Sequence, residues 1–289
     1  MSNSLRIAVT SATSATSATT AVVKRSAGSR SGIRYWLPPL AVFALLIGVW
    51  YLLSYVILDP DRRFLLPAPH EVVIEGLLNP PVFADITRSL GLTALVAFTG
   101  LAIAIVIGIG WGIAMSQARW IENSLFPYAV ILQCIPILAL VPLIGFWFGY
   151  DYFARTIVCV MIALFPMVSN TLFGLQSVDV GQRELFQLQK ASRWTLLTKL
   201  QFPTALPAIF AGLRISAGLS VVGAIVGDFF FRRGTPGLGS LISVYQSRLL
   251  ASELFTAIFA AALLGVVVFW LFGLLRKLAV GRWYDTTAS

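Results

Sequence analysis

Apolar residues recur along the chain in runs of about 20, the length an α-helix needs to cross roughly 30 Å of hydrocarbon. Six such spans are predicted, at about residues 35–58, 90–115, 125–148, 155–175, 205–231 and 254–275. The first carries Pro38 and Pro39 early, where a first helical turn tolerates them, and stops at Asp59-Pro60. The second is rich in small residues, and Gly108 and Gly112 share one face, which favours a close helix contact in the bilayer. The third contains Pro127, Pro136 and Pro142, which free backbone carbonyls and kink a helix; a membrane tolerates this where neighbours or a polar cavity satisfy those groups.

Polar interruptions separate the spans. Residues 1–33 have no acidic side chain and repeat a Ser-Ala-Thr triplet, so they cannot bury a core and are expected to form a disordered tail. An organelle transit peptide is the alternative for this stretch. Residues 34–284 then form one membrane domain. The stretch from Asp59 to Arg88 predicts one or two short amphipathic helices, the first opening after Pro69, and Gly234–Gly239 reads as a loop.

Composition agrees with the pattern. Of 289 residues, 58% are hydrophobic and 11% charged, against about 25% charged in an average soluble domain. The net charge of +9 would suggest nucleic acid in a soluble protein, but the basic residues lie between apolar spans and set orientation instead. Fourteen of the 21 Lys and Arg fall on one side, which puts both termini and residues 176–203 in the cytoplasm of a multi-pass cell-membrane protein. Cys134 and Cys159 sit inside apolar spans as packing residues, and His70 alone cannot build a His-rich metal site. No catalytic or metal-binding constellation is present, so the chain is read as neither an enzyme nor a metalloprotein.

The loop at residues 176–203 has clear helix signals. Asp179 precedes Gln182 at a capping spacing and starts a helix through Glu184 to about Lys190. Ser192 caps a second, Arg193 to about Gln201, which Pro203 interrupts. Phe186, Leu188, Trp194 and Leu197 beside Glu184, Lys190 and Arg193 suit either docking into a partner's cleft or lying on lipid headgroups.

The stretch Glu184 to Pro203 resembles the EAA loop of ABC importer permeases, E-A-A-x3-G-x9-I-x-L-P, with the spacing from Glu184 to Pro203 kept. Ala205-Leu206-Pro207 and Ala211-Gly212-Leu213-Arg214 are similar to the nitrate/sulfonate/taurine/bicarbonate branch. So are Leu66-Pro67-Ala68-Pro69, Ile135-Pro136, Trp147-Phe148-Gly149 and Gly237-Leu238-Gly239, and the resemblance covers about residues 37–284. It implies an all-α integral membrane protein of the type I ABC importer permease fold. It further implies a second copy of the chain, a cytoplasmic ABC ATPase dimer that binds MgATP and grips the loop, and an external solute-binding protein. The coupling residues would be Asp179, Glu184, Phe186, Lys190, Ser192, Arg193, Trp194 and Pro203. Leu185 and Phe186 replace the family's two alanines, and Lys190 replaces a glycine that would end the first helix at little cost.

Polar or backbone-exposing positions inside the spans are candidates for a solute pathway: Gln133, Pro136, Ser169, Asn170, Ser216, Ser220 and Asp228. Asp228, near an outer end, is expected to act at the pathway, meet water or pair with Arg232. The third span lacks an arginine to hold an oxyanion. Its Leu132–Pro136 run, with Phe229–Phe231, looks similar to branch members that import pyrimidine or flavin-type vitamin precursors. The substrate is thus expected to be either such a precursor or a nitrate/sulfonate/bicarbonate-type anion. The alternative function is an ion-coupled secondary transporter, which would show internal repeats and several intramembrane carboxylates.

Overall fold

The computed structural model describes residues 32–231 and 234–280, with side chains from Trp36 to Ala279. The tail expected at residues 1–33 lies almost wholly outside the described residues, as does Arg232. Among the described residues the elements are helices: α1 (Gly32–Leu52), α2 (Pro69–Glu71), α3 (Pro80–Ser116), α4 (Arg119–Cys134), α5 (Ile137–Phe148), α6 (Tyr152–Gln176), α7 (Val180–Leu188), α8 (Arg193–Leu196), α9 (Phe202–Phe230), α10 (Leu238–Ser247) and α11 (Ala251–Val280).

The described residues divide into two compact units, which part between Leu46 and Ile47. In the first, the described part of α1 exposes Trp36, Leu37, Leu40, Phe43 and Leu45, an apolar surface suited to hydrocarbon rather than water. Among the described residues five helices are long and apolar enough to cross a membrane, and the bent pair α4 and α5 brings the number to six if it counts as one span.

In the second unit α3, α6 and α9 pack tightly, and glycine sets the spacing. A Cβ on Gly108 would lie 2.5 Å from Met167 Cβ, and one on Gly112 would lie 2.7 Å from Thr171 Cγ2. The small-residue face predicted for the second span is therefore buried against α6. On the other side of α6, a Cβ on Gly212 would fall 2.6 Å from Asn170 Cβ, and one on Gly223 would fall 2.8 Å from Cys159 Cα. Backbones meet this closely in a membrane because packing and hydrogen bonds, rather than the hydrophobic effect, drive helix association there. Val96, Ala97, Leu101, Ala217, Val221, Ala224, Leu264 and Val268 continue the core from α3 and α9 onto α11.

Several boundaries differ from those read in the sequence. The second span begins at Pro80 rather than near residue 90, because proline fits the opening turn of α3 and the polar residues Asp85 and Arg88 extend its end. The segment before it forms a 3₁₀ turn, Pro60–Leu65, then α2 continuing as a wide turn through Leu77. Trp50 Nε1 donates to Pro67 O at 3.0 Å and Ser54 Oγ to Leu66 O at 2.8 Å, which ties this segment to the end of the first span. The third span is not one kinked helix. It is broken at Ile135-Pro136, where the axes turn by 96°.

Pro203 does not interrupt the second loop helix. Arg193–Phe230 is one helical run of 38 residues. The reason is the wide turn Leu197–Gln201, closed by Phe202 N–H donating to Leu197 O, which loosens the backbone where the proline ring would otherwise clash.

Candidate functional site

The segment between α6 and α9 folds as its caps dictate. Asp179 Oδ1 accepts from Gly181 N at 2.9 Å and Gln182 N at 3.3 Å, satisfying two orphan donors of α7. At its other end, Ala191 N donates to Phe186 O at 3.0 Å and Lys190 N to Gln187 O at 2.9 Å, a Schellman closure. That closure puts Lys190 in the left-handed region, with φ of 49°. Ser192 Oγ then accepts from Thr195 N at 3.1 Å and opens α8.

The two short helices make a protrusion held from beneath by Leu197, which is buried with Met167, Leu175, Ala205 and Ile209. Glu184, Lys190, Ser192 and Arg193 are exposed, Phe186 and Pro203 half-buried. Leu188 is 82% exposed and Trp194 72%. Large apolar side chains beside charges of both signs form a surface with the chemistry of a docking site.

The opposite end of the bundle holds the charged site that the sequence left incomplete. Asp228 is neither in water nor available to a distant partner: it is buried, and its Oδ1 lies 2.9 Å from Arg155 Nη1. It also accepts from the backbone of α10's first turn, Gly237 N at 3.2 Å and Ser240 N at 2.7 Å, and from Ser240 Oγ at 3.0 Å. A carboxylate at a helix N-terminus is favourably placed for both orphan N–H groups and the helix dipole. Arg155 further donates to Thr235 O at 2.8 Å and Phe231 O at 3.2 Å, while Thr93 Oγ1 accepts from Leu238 N at 2.8 Å. Four helices, α3, α6, α9 and α10, thus meet at one clip. Gly237 and Gly239 permit it: a Cβ on Gly237 would sit 2.7 Å from both Asp228 Oδ2 and Thr93 Oγ1. A cavity of about 270 Å³, lined by Leu92, Val96, Asp151, Tyr152, Arg155 and Gly234-Thr235, adjoins the clip. The sequence had counted Arg155 only as an orientation charge, although an acid inside a span calls for a cation at the same depth.

The remaining pathway candidates separate into two groups. Ser216 Oγ donates to Ala163 O at 2.7 Å and Ser220 Oγ to Ala217 O at 2.8 Å, and both are buried. Ser169 and Asn170 are half-buried and donate to Pro166 O at 3.4 and 2.8 Å. These four groups are engaged within the subunit. Gln133 and Pro136, by contrast, are exposed at the break between α4 and α5, together with Cys134. No charged residue occurs from Tyr128 through Phe148 around that break.

The binding-protein-dependent transport system inner membrane component model matches residues 104–281. The formylaminopyrimidine transport permease protein of Halalkalibacterium halodurans is 32% identical over 238 residues, covering 81% of this chain and 90% of that protein. The riboflavin transport system permease protein of Chloroflexus aurantiacus is 31% identical over 272 residues, covering 91% and 97%. The bicarbonate transport system permease protein of Synechococcus elongatus is 30% identical over 266 residues, covering 86% and 95%. Among solved structures, the inward-facing MetNI methionine ABC transporter superposes with a TM-score of 0.60 at 16% identity, over 68% of this chain and 97% of that one.

Proposed function

The chain belongs to the binding-protein-dependent transport system inner membrane component family, the permeases of ABC importers, and from that membership we propose a specific division of labour along it. Residues 176–203 engage a cytoplasmic ATPase dimer, the break between α4 and α5 lines the solute pathway, and the clip around Asp228 holds the far end. The exposed protrusion carries this reading: Leu188 and Trp194 are exposed on two helical segments, each opened by a side-chain cap, an arrangement that a partner's cleft would cover.

The pathway assignment rests on a constraint of the bilayer. A broken helix frees backbone groups that hydrocarbon cannot satisfy, so a break within a span must face protein or a water-filled cavity. Gln133, Cys134 and Pro136 are exposed in this subunit, so a second copy or an aqueous passage supplies the remaining cover. A homodimer with the pathway between the copies meets both needs. Both termini and the protrusion then lie in the cytoplasm, MgATP is hydrolysed by the ATPase, and an external binding protein delivers solute at the end that carries the clip.

We infer a planar heteroaromatic solute of the vitamin-precursor type rather than a small oxyanion. The uncharged surroundings of Gln133 and the exposed aromatic rings of Tyr128, Phe146 and Trp147 favour stacking and apolar contact over anion binding. Reconstitution of the permease with its ATPase and binding protein tests the reading. ATP-dependent uptake of a pyrimidine or flavin is expected; uptake of bicarbonate or a sulfonate instead would reverse the solute assignment. ATP-independent uptake driven by an ion gradient would sink the coupling. Crosslinking in native membranes should give a homodimer.

A further inference from the structure

Arg214 is the one cation deep in α9. Its guanidinium carbon lies 3.7 Å from the centroid of Phe269 on α11, a cation–π contact. A Cβ on Gly273, one turn further along α11, would lie 3.6–3.8 Å from its Nε, Cζ and Nη2, so the glycine leaves room for the planar group to lie against the helix. Arg214 Nε is shielded from solvent and has no hydrogen-bond partner. Arg276 and Lys277 follow Phe269 by seven and eight residues and share its face of α11. Among the described residues no carboxylate lies within ion-pairing distance of any of these three cations.

The surroundings are apolar. Only 11% of the hydrophobic window of α11 is buried, and Leu274 and Leu278 are exposed beside the cations. An unpaired guanidinium in hydrocarbon is costly and is relieved by an anion or by reaching the headgroup layer. Basic pockets between spans at one leaflet suit anionic headgroups. Arg214 lies in the half of α9 nearer the 177–203 protrusion, and Arg276 and Lys277 lie near the end of α11.

We propose that Arg214, Arg276 and Lys277 form a binding site for the phosphodiester headgroup of an anionic phospholipid, in the groove between α9 and α11 at the protrusion end. The guanidinium of Arg214 gives two in-plane donors to phosphate oxygens while Phe269 covers one of its faces. Arg276 and Lys277 supply the remaining charge at headgroup depth, and an acyl chain lies along Leu274 and Leu278. The inference does not depend on the solute or on the coupling assignment. It requires only that α9 and α11 cross the membrane.

Native mass spectrometry of the full chain, purified with its ATPase in mild detergent and supplemented with phosphatidylglycerol or phosphatidylcholine, reads the site directly. The wild type is expected to retain phosphatidylglycerol over phosphatidylcholine, and Arg214→Gln to weaken retention about tenfold, the effect of losing one charge-assisted contact. Arg214→Lys should recover only part, since an ammonium lacks the planar fork. If Arg214→Gln fails to accumulate, Arg276→Gln carries the same test from a half-buried position. Equal retention by wild type and variants, or equal retention of the zwitterionic lipid, overturns the proposal. Displacement of phosphatidylglycerol by inorganic phosphate alone would assign the site to a free anion and also overturn it.

Discussion

Replacing Lys190 by glycine should tighten the protrusion between α6 and α9 rather than damage it. A side chain in the left-handed region costs about 1–2 kcal/mol, and Lys190 adopts φ of 49° because the Schellman closure of α7 demands it. Glycine removes that cost but adds about 0.4–1 kcal/mol of unfolded-chain entropy. A net gain of about 0.5–1 kcal/mol remains, or roughly two- to five-fold less opening of the turn. Hydrogen exchange on the full-length protein should show the Lys190 and Ala191 amides slowing by that factor, since they donate the two closing bonds. ATPase stimulation should be kept or raised. Lys190→Asn, which tolerates the conformation without the charge, should behave like the glycine variant, whereas Lys190→Met keeps the strain. If Gly, Asn and Met all lose stimulation at low salt, the ammonium meets an acidic surface on the ATPase and the strain argument fails. Faster exchange in Lys190→Gly would refute it outright.

Other perturbations address the remaining parts. Glu184→Ala and Arg193→Glu should leave the permease in the membrane but uncouple ATP hydrolysis from uptake, measured together in proteoliposomes; normal coupling in both removes the protrusion from the mechanism. Asp228→Asn leaves Arg155 buried without its counter-ion and should cost about 3–5 kcal/mol in a thermal or denaturant assay, part of which Arg155→Met restores in the double variant. Additive losses would show that the two groups do not act together. Gly112→Leu places side-chain atoms into Thr171 and should lower the yield of folded protein, whereas Gly110→Leu, with nothing within 4 Å, should not.

Periodicity and caps carried most of the fold. Asp179 and Ser192 open their helices where the sequence puts them, because capping is local chemistry that a distant contact rarely overrides. At Lys190 local pattern left a left-handed turn and a helical lysine both open; the resemblance favoured the first, since the family's glycine marks a backbone requirement, and φ is 49°. What escaped the sequence was set by neighbours. Pro203 reads as an interruption until the wide turn before it is seen, and the break at Ile135-Pro136 reads as a kink among three prolines. Asp228 was recognised as a suspect, but its partner lies 73 positions away across a glycine-lined helix pair, and its backbone donors belong to a helix that opens nine residues later. Pairings at that range are written in packing, not in local pattern.

The packing also constrains how the two ends can communicate. The helical run from Arg193 to Phe230 joins the protrusion to Asp228, about 52 Å away at 1.5 Å per residue. Gly174, Gly212, Gly223 and Gly227 hold it against α6 at backbone distance along that length, so bending one helix means breaking the contacts of both. Beyond the wide turn Leu197–Gln201, a displacement of α9 would therefore carry α6 with it, and the Arg155–Asp228 clip would carry α10. Relative motion falls instead where the hydrogen-bond ladder is already interrupted. Besides the Leu197–Gln201 turn, that is the 96° break between α4 and α5, whose side chains share clusters with α6, Ala129 with Leu164 and Val141 with Val158. A side-chain interface of this kind slides at less cost than a helix bends. The element proposed to line the pathway is thus also the one the fold leaves free to move against the rest.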